Sequence, residues 1–314
     1  MTDSHQQERP QTDRPRTGLF GLGSMGYGMA QSLLRAGHDL AAFDIAPEPV
    51  ARITAEGARS GDPAALAPAF DCAVIVVLNA AQTRAVLLGT GDAPGLVAHL
   101  RPGATILACA TIPPEEARAL AAAVEAKGLH YLDAPISGGA AKAAAGKLSV
   151  MASGSAAAFA GARPALDAMA EVVFEMGPEP GQGSAMKSVN QILVGIHIAA
   201  MAEAMTFGLS QGIDVARSYE VITRCAGNSW AFENRGPHVV NGDYRPASAV
   251  DIWPKDLGIA LDAARAAKFS APLTAVALQQ FLAASGSGLG REDDAAVAKV
   301  YARNAGLRLP GDAG

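Results

Sequence analysis

The chain has 314 residues, of which half are hydrophobic and 18% are charged, and its formal net charge is −5 at pH 7. This length allows two domains with separate cores, and this composition excludes a disordered chain. The negative charge argues against nucleic acid as the main partner. The three cysteines and six histidines show no metal-binding or redox spacing, so we expect no metal site and a cytoplasmic location.

The first part of the chain predicts a domain of the Rossmann type. Residues 1–17 are polar and lack the apolar core of a signal peptide, so we interpret them as a mobile tail. Over residues 18–180, β-branched runs alternate with alanine-rich helical stretches, which predicts βαβ units and a mostly parallel sheet. The predicted strands are 18–23, 38–44, 71–79, 104–111, 128–135, 147–153 and 171–177.

The second part, residues 181–314, predicts an all-helical domain. Its helical periods are 183–211, 214–224, 229–241, 250–267, 272–284 and 291–303. The first of these helices is very apolar but contains Lys187, Asn190, Gln191 and Glu203. Such side chains are costly in a bilayer, so we do not expect a membrane span.

A glycine-rich loop opens the first domain. Gly21-Leu22-Gly23-Ser24-Met25-Gly26 matches G-x-G-x-x-G between a predicted strand and a predicted helix, the context that a dinucleotide fingerprint requires. The first glycine allows the tight turn, the second allows close approach of the pyrophosphate, and the third allows close helix packing. A plain strand-to-helix turn is the alternative interpretation.

Asp44 ends the second predicted strand, about twenty residues after the loop, where an acidic side chain binds the ribose hydroxyls of NAD. A 2′-phosphate would meet a like charge there, and no arginine directly follows. We therefore predict NAD and not NADP as the cofactor. The alternative is an exposed aspartate in a turn.

Three segments of the sequence carry a family resemblance. "GLGSMGYGMA", "DAPISGGAAKAAAG" and "GQGSAMKSVNQ" resemble the signatures of the β-hydroxyacid dehydrogenases, which include 3-hydroxyisobutyrate dehydrogenase and tartronate semialdehyde (2-hydroxy-3-oxopropionate) reductase. "AGNSWAFENRG" and "GREDDAAVAKVYA" look like the L-threonate dehydrogenase branch. That resemblance implies oxidation of L-threonate at carbon 2 by NAD to 2-dehydro-L-erythronate, as a step of carbohydrate acid catabolism.

The resemblance also implies a set of site residues. Lys187 would transfer the proton, and Ser137, Gly138 and Gly139 would hold the substrate carboxylate. Asn190 would contact substrate. The residues that would line or reach the cofactor are Leu78, Asn79, Thr111, Phe232 and Lys255.

The residues themselves allow both this and simpler interpretations. Oxidation of an alcohol needs a base, and burial, the start of a helix and a nearby positive charge all favour a neutral lysine. A lysine that reaches to water is the alternative for Lys187. Ser137-Gly138-Gly139 is also compatible with an ordinary capped turn. Asn228 and Ser229 could bind the additional hydroxyls of a sugar acid or cap the next helix.

Other functions remain open at this point. The same family contains tartronate semialdehyde reductase and 3-hydroxyisobutyrate dehydrogenase. The substrate of the latter is a branched acid that is more apolar than a sugar acid and does not need Asn228. An imine reductase would generally lack a lysine at position 187. A non-catalytic NAD-binding module is the alternative outside the enzymes. The family also implies a homodimer or homotetramer that binds a small hydroxy acid.

Overall fold

The computed structural model describes residues 14–311. The first part of the chain forms a sheet of eight strands and a separate antiparallel strand pair. The strands are β1 (Arg16–Phe20), β2 (Asp39–Phe43), β3 (Cys72–Ile75), β4 (Gly89–Thr90), β5 (Ala93–Pro94), β6 (Thr105–Ala108), β7 (His130–Asp133), β8 (Ile136–Ser137), β9 (Leu148–Ser153) and β10 (Ala170–Gly177).

The main sheet has the strand order β10-β9-β7-β6-β3-β1-β2, with β8 paired to β9. Its pairs are parallel except for β7 with β9 and β8 with β9. The predicted, mostly parallel sheet is thus confirmed. Because the chain passes from β1 outward to β2 and then back across to β3, the order reverses between β1 and β3, where sheets of this kind bind ligands.

Alternating residues of the central strands supply two separate cores. Leu19 and Val74 belong to one buried cluster, whereas their neighbours Phe20 and Ile75 belong to the other. Helices cover both faces, as a parallel sheet requires. They are α1 (Gly26–Arg35), α2 (Pro47–Ala55), α3 (Pro63–Leu66), α4 (Ala80–Leu88), α5 (Pro114–Glu125), α6 (Gly139–Ala145) and α7 (Ala156–Met169).

The rest of the chain is helical, as predicted. Its helices are α8 (Gln182–Ser210), α9 (Val215–Ile222), α10 (Trp230–Asn241), α11 (Ile252–Ala266), α12 (Pro272–Ala284) and α13 (Val297–Asn304). The described residues after α8 contain no strand, only an isolated bridge between Ala249 and Asp293. Trp253 stacks on Phe281 in the core of this part, with ring centroids 5.3 Å apart.

Contacts between residues divide the chain into a first unit that ends at Lys187 and a second that begins at Ser188. This division falls inside α8, shortly after the expected boundary at 180. Strand β1 begins at Arg16, so the last two residues of the expected tail 1–17 belong to the sheet. Residues 1–13 of that tail lie outside the described residues.

Helix α8 is long and apolar enough to cross a membrane by length and composition alone. Its most apolar window is 44% buried within the protein. The helix also contains Lys187, Gln191 and Glu203. Because polar groups are costly in lipid, we interpret α8 as a core helix of a globular protein.

Candidate active site

The loop between β1 and α1 has a different constraint at each of its three glycines. Gly21 has φ +103°, and a Cβ there would lie 2.2 Å from the carbonyl oxygen of Val76. A Cβ at Gly26 would lie 1.9 Å from the oxygen of Gly21. At Gly23, by contrast, a Cβ would meet nothing within 4 Å. The protein itself therefore requires the outer two glycines, while the middle one faces open space, as close approach of a ligand requires.

The backbone of this loop offers hydrogen-bond donors to an anion. None of the residues that the structure describes accepts a hydrogen bond from the N–H groups of Gly23, Ser24 or Met25. These amides precede the first turn of α1, where the helix dipole is positive. This combination is typical of a pyrophosphate site, and it fits the dinucleotide that the sequence predicts.

Asp44 lies at the end of β2, across from this loop. Its Oδ2 accepts a hydrogen bond from the N–H of Leu22 at 2.5 Å, and its Oδ1 accepts one from the N–H of Ala46 at 2.8 Å. The carboxylate is therefore held in place. A cavity of about 510 Å³ is lined by Asp44, Gly21, Gly23 and Leu78. It lies where the strand order reverses, at the carboxyl ends of β1, β2 and β3.

The remaining predicted cofactor residues of the first unit follow the neighbouring strands. Leu78 is half-exposed and lines the cavity. Asn79 caps α4, because its Oδ1 accepts the N–H of Gln82 at 2.9 Å. Thr111 follows β6 in the segment before α5. All three follow the carboxyl ends of strands in the middle of the sheet.

Lys187 meets the predicted carboxylate-binding segment. Its side chain is buried, with 7% of the residue exposed, and Nζ donates to the carbonyl oxygen of Ile136 at 2.9 Å. Ile136 directly precedes Ser137, Gly138 and Gly139, and Gly139 begins α6. At Gly139, φ is +77° and a Cβ would meet nothing within 4 Å. This hydrogen bond brings together two motifs that are some fifty residues apart in the sequence. Because the Lys187 side chain is buried, the alternative in which it reaches to water is excluded.

The start of α8 carries a negative charge that the sequence analysis did not anticipate. Asp133 accepts hydrogen bonds from the N–H groups of Gly181 and Ser184 at 2.9 and 2.8 Å. Burial raises the pKa of Asp133, while these hydrogen bonds act in the opposite direction. Its carboxylate offsets the positive end of the α8 dipole, which we expected to disfavour a charged Lys187.

In the second unit, a polar chain joins two of the predicted residues. Asn190 donates to Oε1 of Gln191 at 2.8 Å, and Gln191 donates to Oδ2 of Asp256. The other oxygen of Asp256 pairs with Nζ of Lys255 at 2.6 Å. Asn190 on α8 and Lys255 on α11 are therefore held by one connected network.

Asn228 and Phe232 lie together elsewhere in the second unit. They line a cavity of about 310 Å³ with Ser229 and His197. The Asn228 amide donates to Oε1 of Glu233 at 2.6 Å, and Ser229 caps α10 by accepting the N–H of Phe232 at 3.1 Å. His197 follows Asn190 by two helical turns, about 10 Å along α8. No hydrogen bond of the described residues joins Asn228 to the Asn190 network.

Phe232 itself is buried and stacks on Tyr219, with ring centroids 6.1 Å apart.

The structure thus groups the predicted residues into a nucleotide cavity, the Lys187 segment, the Asn190–Lys255 network and the Asn228 cavity. Sequence reasoning missed Asp133 and Asp256. Asp133 is the first residue of the motif "DAPISGGAAKAAAG", and Asp256 directly follows Lys255. Among residues 14–311, no group of three or more His, Cys, Asp or Glu side chains is arranged to hold a metal ion.

Two family models match consecutive parts of the chain. Residues 16–177 match the NAD-binding domain of 6-phosphogluconate dehydrogenase. Residues 181–301 match the NAD-binding domain of NADP-dependent 3-hydroxyisobutyrate dehydrogenase. Together they cover nearly all of the described chain, and both are dehydrogenase domains that bind a nicotinamide dinucleotide.

Individual relatives agree with these models. The chain is 50% identical to L-threonate dehydrogenase of Cupriavidus necator, over 94% of this chain and 98% of the relative. It is 38% identical to 3-hydroxyisobutyrate dehydrogenase of Pseudomonas aeruginosa, over 84% and 90%. A crystal structure described as 3-hydroxyisobutyrate dehydrogenase from Salmonella typhimurium is 47% identical, with a TM-score of 0.86 over 91% of this chain and 99% of that one.

Proposed function

We propose that this chain, which belongs to the 3-hydroxyisobutyrate dehydrogenase-like family, oxidises L-threonate with NAD to 2-dehydro-L-erythronate. The observation that carries the chemistry is the bond from Lys187 to Ile136, which places a buried amine beside Ser137-Gly138-Gly139. A base next to an anion-binding segment suits L-threonate, whose hydroxyl at carbon 2 is on the carbon adjacent to the carboxylate.

Each group of residues has a role in this proposal. NAD, when bound, supplies the hydride acceptor. The amides of Gly23, Ser24 and Met25 hold the pyrophosphate, and the Asp44 carboxylate receives the ribose hydroxyls. Ser137, Gly138 and Gly139 hold the substrate carboxylate. Lys187 accepts the proton of the substrate hydroxyl at Nζ.

In the second unit, we assign Asn190 and Lys255 to substrate and cofactor contacts, respectively. Asn190 is held by the hydrogen bond that it donates to Gln191, and Lys255 is held by its ion pair with Asp256. Both side chains are thus ordered before a ligand binds, which reduces the ordering cost of binding. We also assign a substrate contact to Asn228 and a cofactor contact to Phe232. Their cavity is about two helical turns from Asn190.

L-Threonate is favoured as substrate by the pattern of relatives. Five L-threonate dehydrogenases share 43–50% identity with the chain. Relatives named for other substrates share 34–38%. The second candidate is 3-hydroxyisobutyrate, because the Salmonella structure with 47% identity carries that description. A non-catalytic NAD-binding module is not retained, because the relatives along nearly the whole chain are dehydrogenases.

The experiment is an assay of the purified chain with NAD and L-threonate. We expect NADH to form in a 1:1 ratio with a 2-oxo acid that is detected by derivatisation. Lys187→Ala should reduce turnover by about a hundred- to ten-thousand-fold, the usual contribution of a general base. Lys127→Ala, at an exposed lysine just after α5, is the matched control and should stay near wild type. Unchanged turnover in Lys187→Ala would disprove the proton-transfer role.

We further propose a homodimer or homotetramer in the cytoplasm. In the second unit, α8 exposes Leu193 by 52% and Phe207 by 65%, and α12 exposes Leu273 and Val276 even though they are large and apolar. Large apolar side chains exposed on two helices are typical of an interface, and a second copy of the chain is the partner that the family implies. The three cysteines are free, which is compatible with a reducing compartment.

A further inference from the structure

The first turn of α8 is capped by a carboxylate from a distant strand. Asp133, at the end of β7, is 1% exposed. Its Oδ2 accepts the N–H groups of Gly181 and Ser184, and its Oδ1 accepts the hydroxyl of Ser184 at 2.7 Å. The hydroxyl of Ser153 donates to Oδ2 at 3.3 Å. The first amides of a helix have no partners within it, so Asp133 supplies the acceptor that they need.

The same short segment also contacts Lys187. The carbonyl of Ile136, three residues after Asp133, accepts the Lys187 ammonium or amine proton at 2.9 Å. Ser184, which bonds Asp133 twice, precedes Lys187 by one helical turn and therefore lies on the same face. One end of the 133–136 segment thus holds the helix backbone, while the other holds the side chain of the proposed base.

The packing at this point leaves no space for the helix to move closer. A Cβ at Gly183 would lie 2.3 Å from the carbonyl oxygen of Met151 and 2.8 Å from that of Asp133. The N–H of Gly183 donates to the hydroxyl of Ser153 at 2.9 Å. The start of α8 is therefore fixed against the ends of β7 and β9 by backbone contacts as well as by Asp133.

We propose that Asp133 is a positioning residue that sets the location of Lys187 Nζ by fixing the first turn of α8 on the segment 133–136. The inference rests on the proposed proton-transfer role of Lys187. A displacement of about 1 Å in a reacting group can cost a hundred-fold in rate, so the anchor contributes to turnover without touching substrate.

The test is Asp133→Ala. Alanine removes both carboxylate oxygens, so the N–H groups of Gly181 and Ser184 lose the acceptor that holds the first turn of α8. We expect kcat with L-threonate to fall by about a hundred-fold, while the Kd for NADH stays within two-fold of wild type. The solvent deuterium isotope effect on kcat should rise, because proton transfer to a displaced Lys187 becomes slower than hydride transfer.

Two further variants separate positioning from general loss of structure. Asp293→Ala removes an equally buried carboxylate that also accepts backbone N–H groups, those of Ala247 and Ala295, but belongs to the second unit. It should leave the isotope effect unchanged. Gly183→Ala keeps the Asp133 charge and displaces α8, so it should reproduce the loss of kcat and the larger isotope effect even where Asp133→Ala does not fold.

Wild-type kcat and an unchanged isotope effect in a folded Asp133→Ala protein, or in Gly183→Ala, would overturn the inference. Lys187→Ala distinguishes this failure from that of the proposed function. If Lys187→Ala is inactive while the Asp133 and Gly183 variants are normal, only the positioning role is wrong. If Lys187→Ala is fully active, the proton-transfer role itself is wrong.

Discussion

At the scale of single residues, we expect Asp44 to determine which dinucleotide the cavity accepts. Its carboxylate is fixed by the N–H groups of Leu22 and Ala46, so it cannot turn away from a ligand in the cavity without breaking both bonds. A 2′-phosphate would therefore meet a fixed negative charge, and like charges in an interface cost several kcal/mol. The next residue, Ile45, is fully exposed and offers no compensating charge.

The double substitution Asp44→Ser with Ile45→Arg should reverse this preference. Wild type should use NAD at least about a hundred-fold more efficiently than NADP, which corresponds to a few kcal/mol of repulsion. The variant should gain NADP activity and lose NAD activity, as measured by kcat/KM for each cofactor. Ile45→Arg alone is the control, because it adds the positive charge but keeps the carboxylate. Equal use of both cofactors by wild type would refute the role of Asp44.

Residues that belong to a local sequence motif were predictable from the sequence. The glycines at 21, 23 and 26 belong to one loop with a known spacing, and the structure shows a steric reason for Gly21 and Gly26 and open space at Gly23. Asp133 and Asp256 were not predictable in the same way. Their partners, Gly181 and Ser184 for one and Gln191 for the other, are distant in sequence. A single sequence does not show which distant groups a carboxylate will meet.

At the scale of elements, His38 joins three parts of the first unit. The residue directly precedes β2. Its Nδ1 lies 2.9 Å from the Thr17 hydroxyl of β1, and its Nε2 lies 3.2 Å from the Pro164 carbonyl of α7. Burial lowers the pKa of His38 below its ordinary value. The folded protein therefore holds this imidazole neutral at a pH where the unfolded chain would already bind a proton.

This shift predicts a loss of stability in acid. Between the ordinary pKa of about 6.5 and the lower folded pKa, the unfolded chain binds more protons, so the free energy of unfolding falls as pH decreases. His38→Asn keeps a polar group near Thr17 but does not titrate. In urea unfolding at pH 7.5 and 5.5, the stability advantage of wild type over this variant should be smaller at pH 5.5. An advantage that is independent of pH would contradict the assignment.

The long helices and strands were largely predictable from the sequence. The helical period expected at 183–211 is α8, and the one expected at 272–284 is α12. Strands β4, β5 and β8 have two residues each and were missed, because a periodicity needs more residues than that. The strand expected over 71–79 ends at Ile75, since Asn79 caps α4 and the residues between line the cavity.

At the scale of the whole molecule, the resemblance to β-hydroxyacid dehydrogenases is confirmed along nearly the whole chain, including the relation to L-threonate dehydrogenases. The family was accessible from sequence because it depends on motifs in a fixed order. Which hydroxyls of a substrate meet which side chains depends on the placement of groups such as Asn228, whose amide is bonded to Glu233. That bond could not be inferred from one chain.

The proposed assembly predicts a change of mass in solution. Leu193→Glu combined with Phe207→Glu places charges on the exposed apolar face of α8, which should dissociate a dimer or tetramer into monomers. Light scattering coupled to size-exclusion chromatography measures the mass directly. Arg265→Glu, on an exposed part of α11, is the control for added negative charge and should keep the wild-type mass. A wild-type protein that is monomeric at all concentrations would refute the assembly.

The central claim is tested most directly by kcat/KM with NAD for L-threonate and for 3-hydroxyisobutyrate under the same conditions. A site that hydrogen-bonds substrate hydroxyls rejects analogues that lack them by about ten-thousand-fold or more. The proposed function therefore predicts that L-threonate is oxidised at least about a thousand-fold more efficiently than 3-hydroxyisobutyrate, and that Asn228→Ala reduces this ratio. A higher kcat/KM for 3-hydroxyisobutyrate, or for glycerate, would contradict the L-threonate assignment and leave only the family.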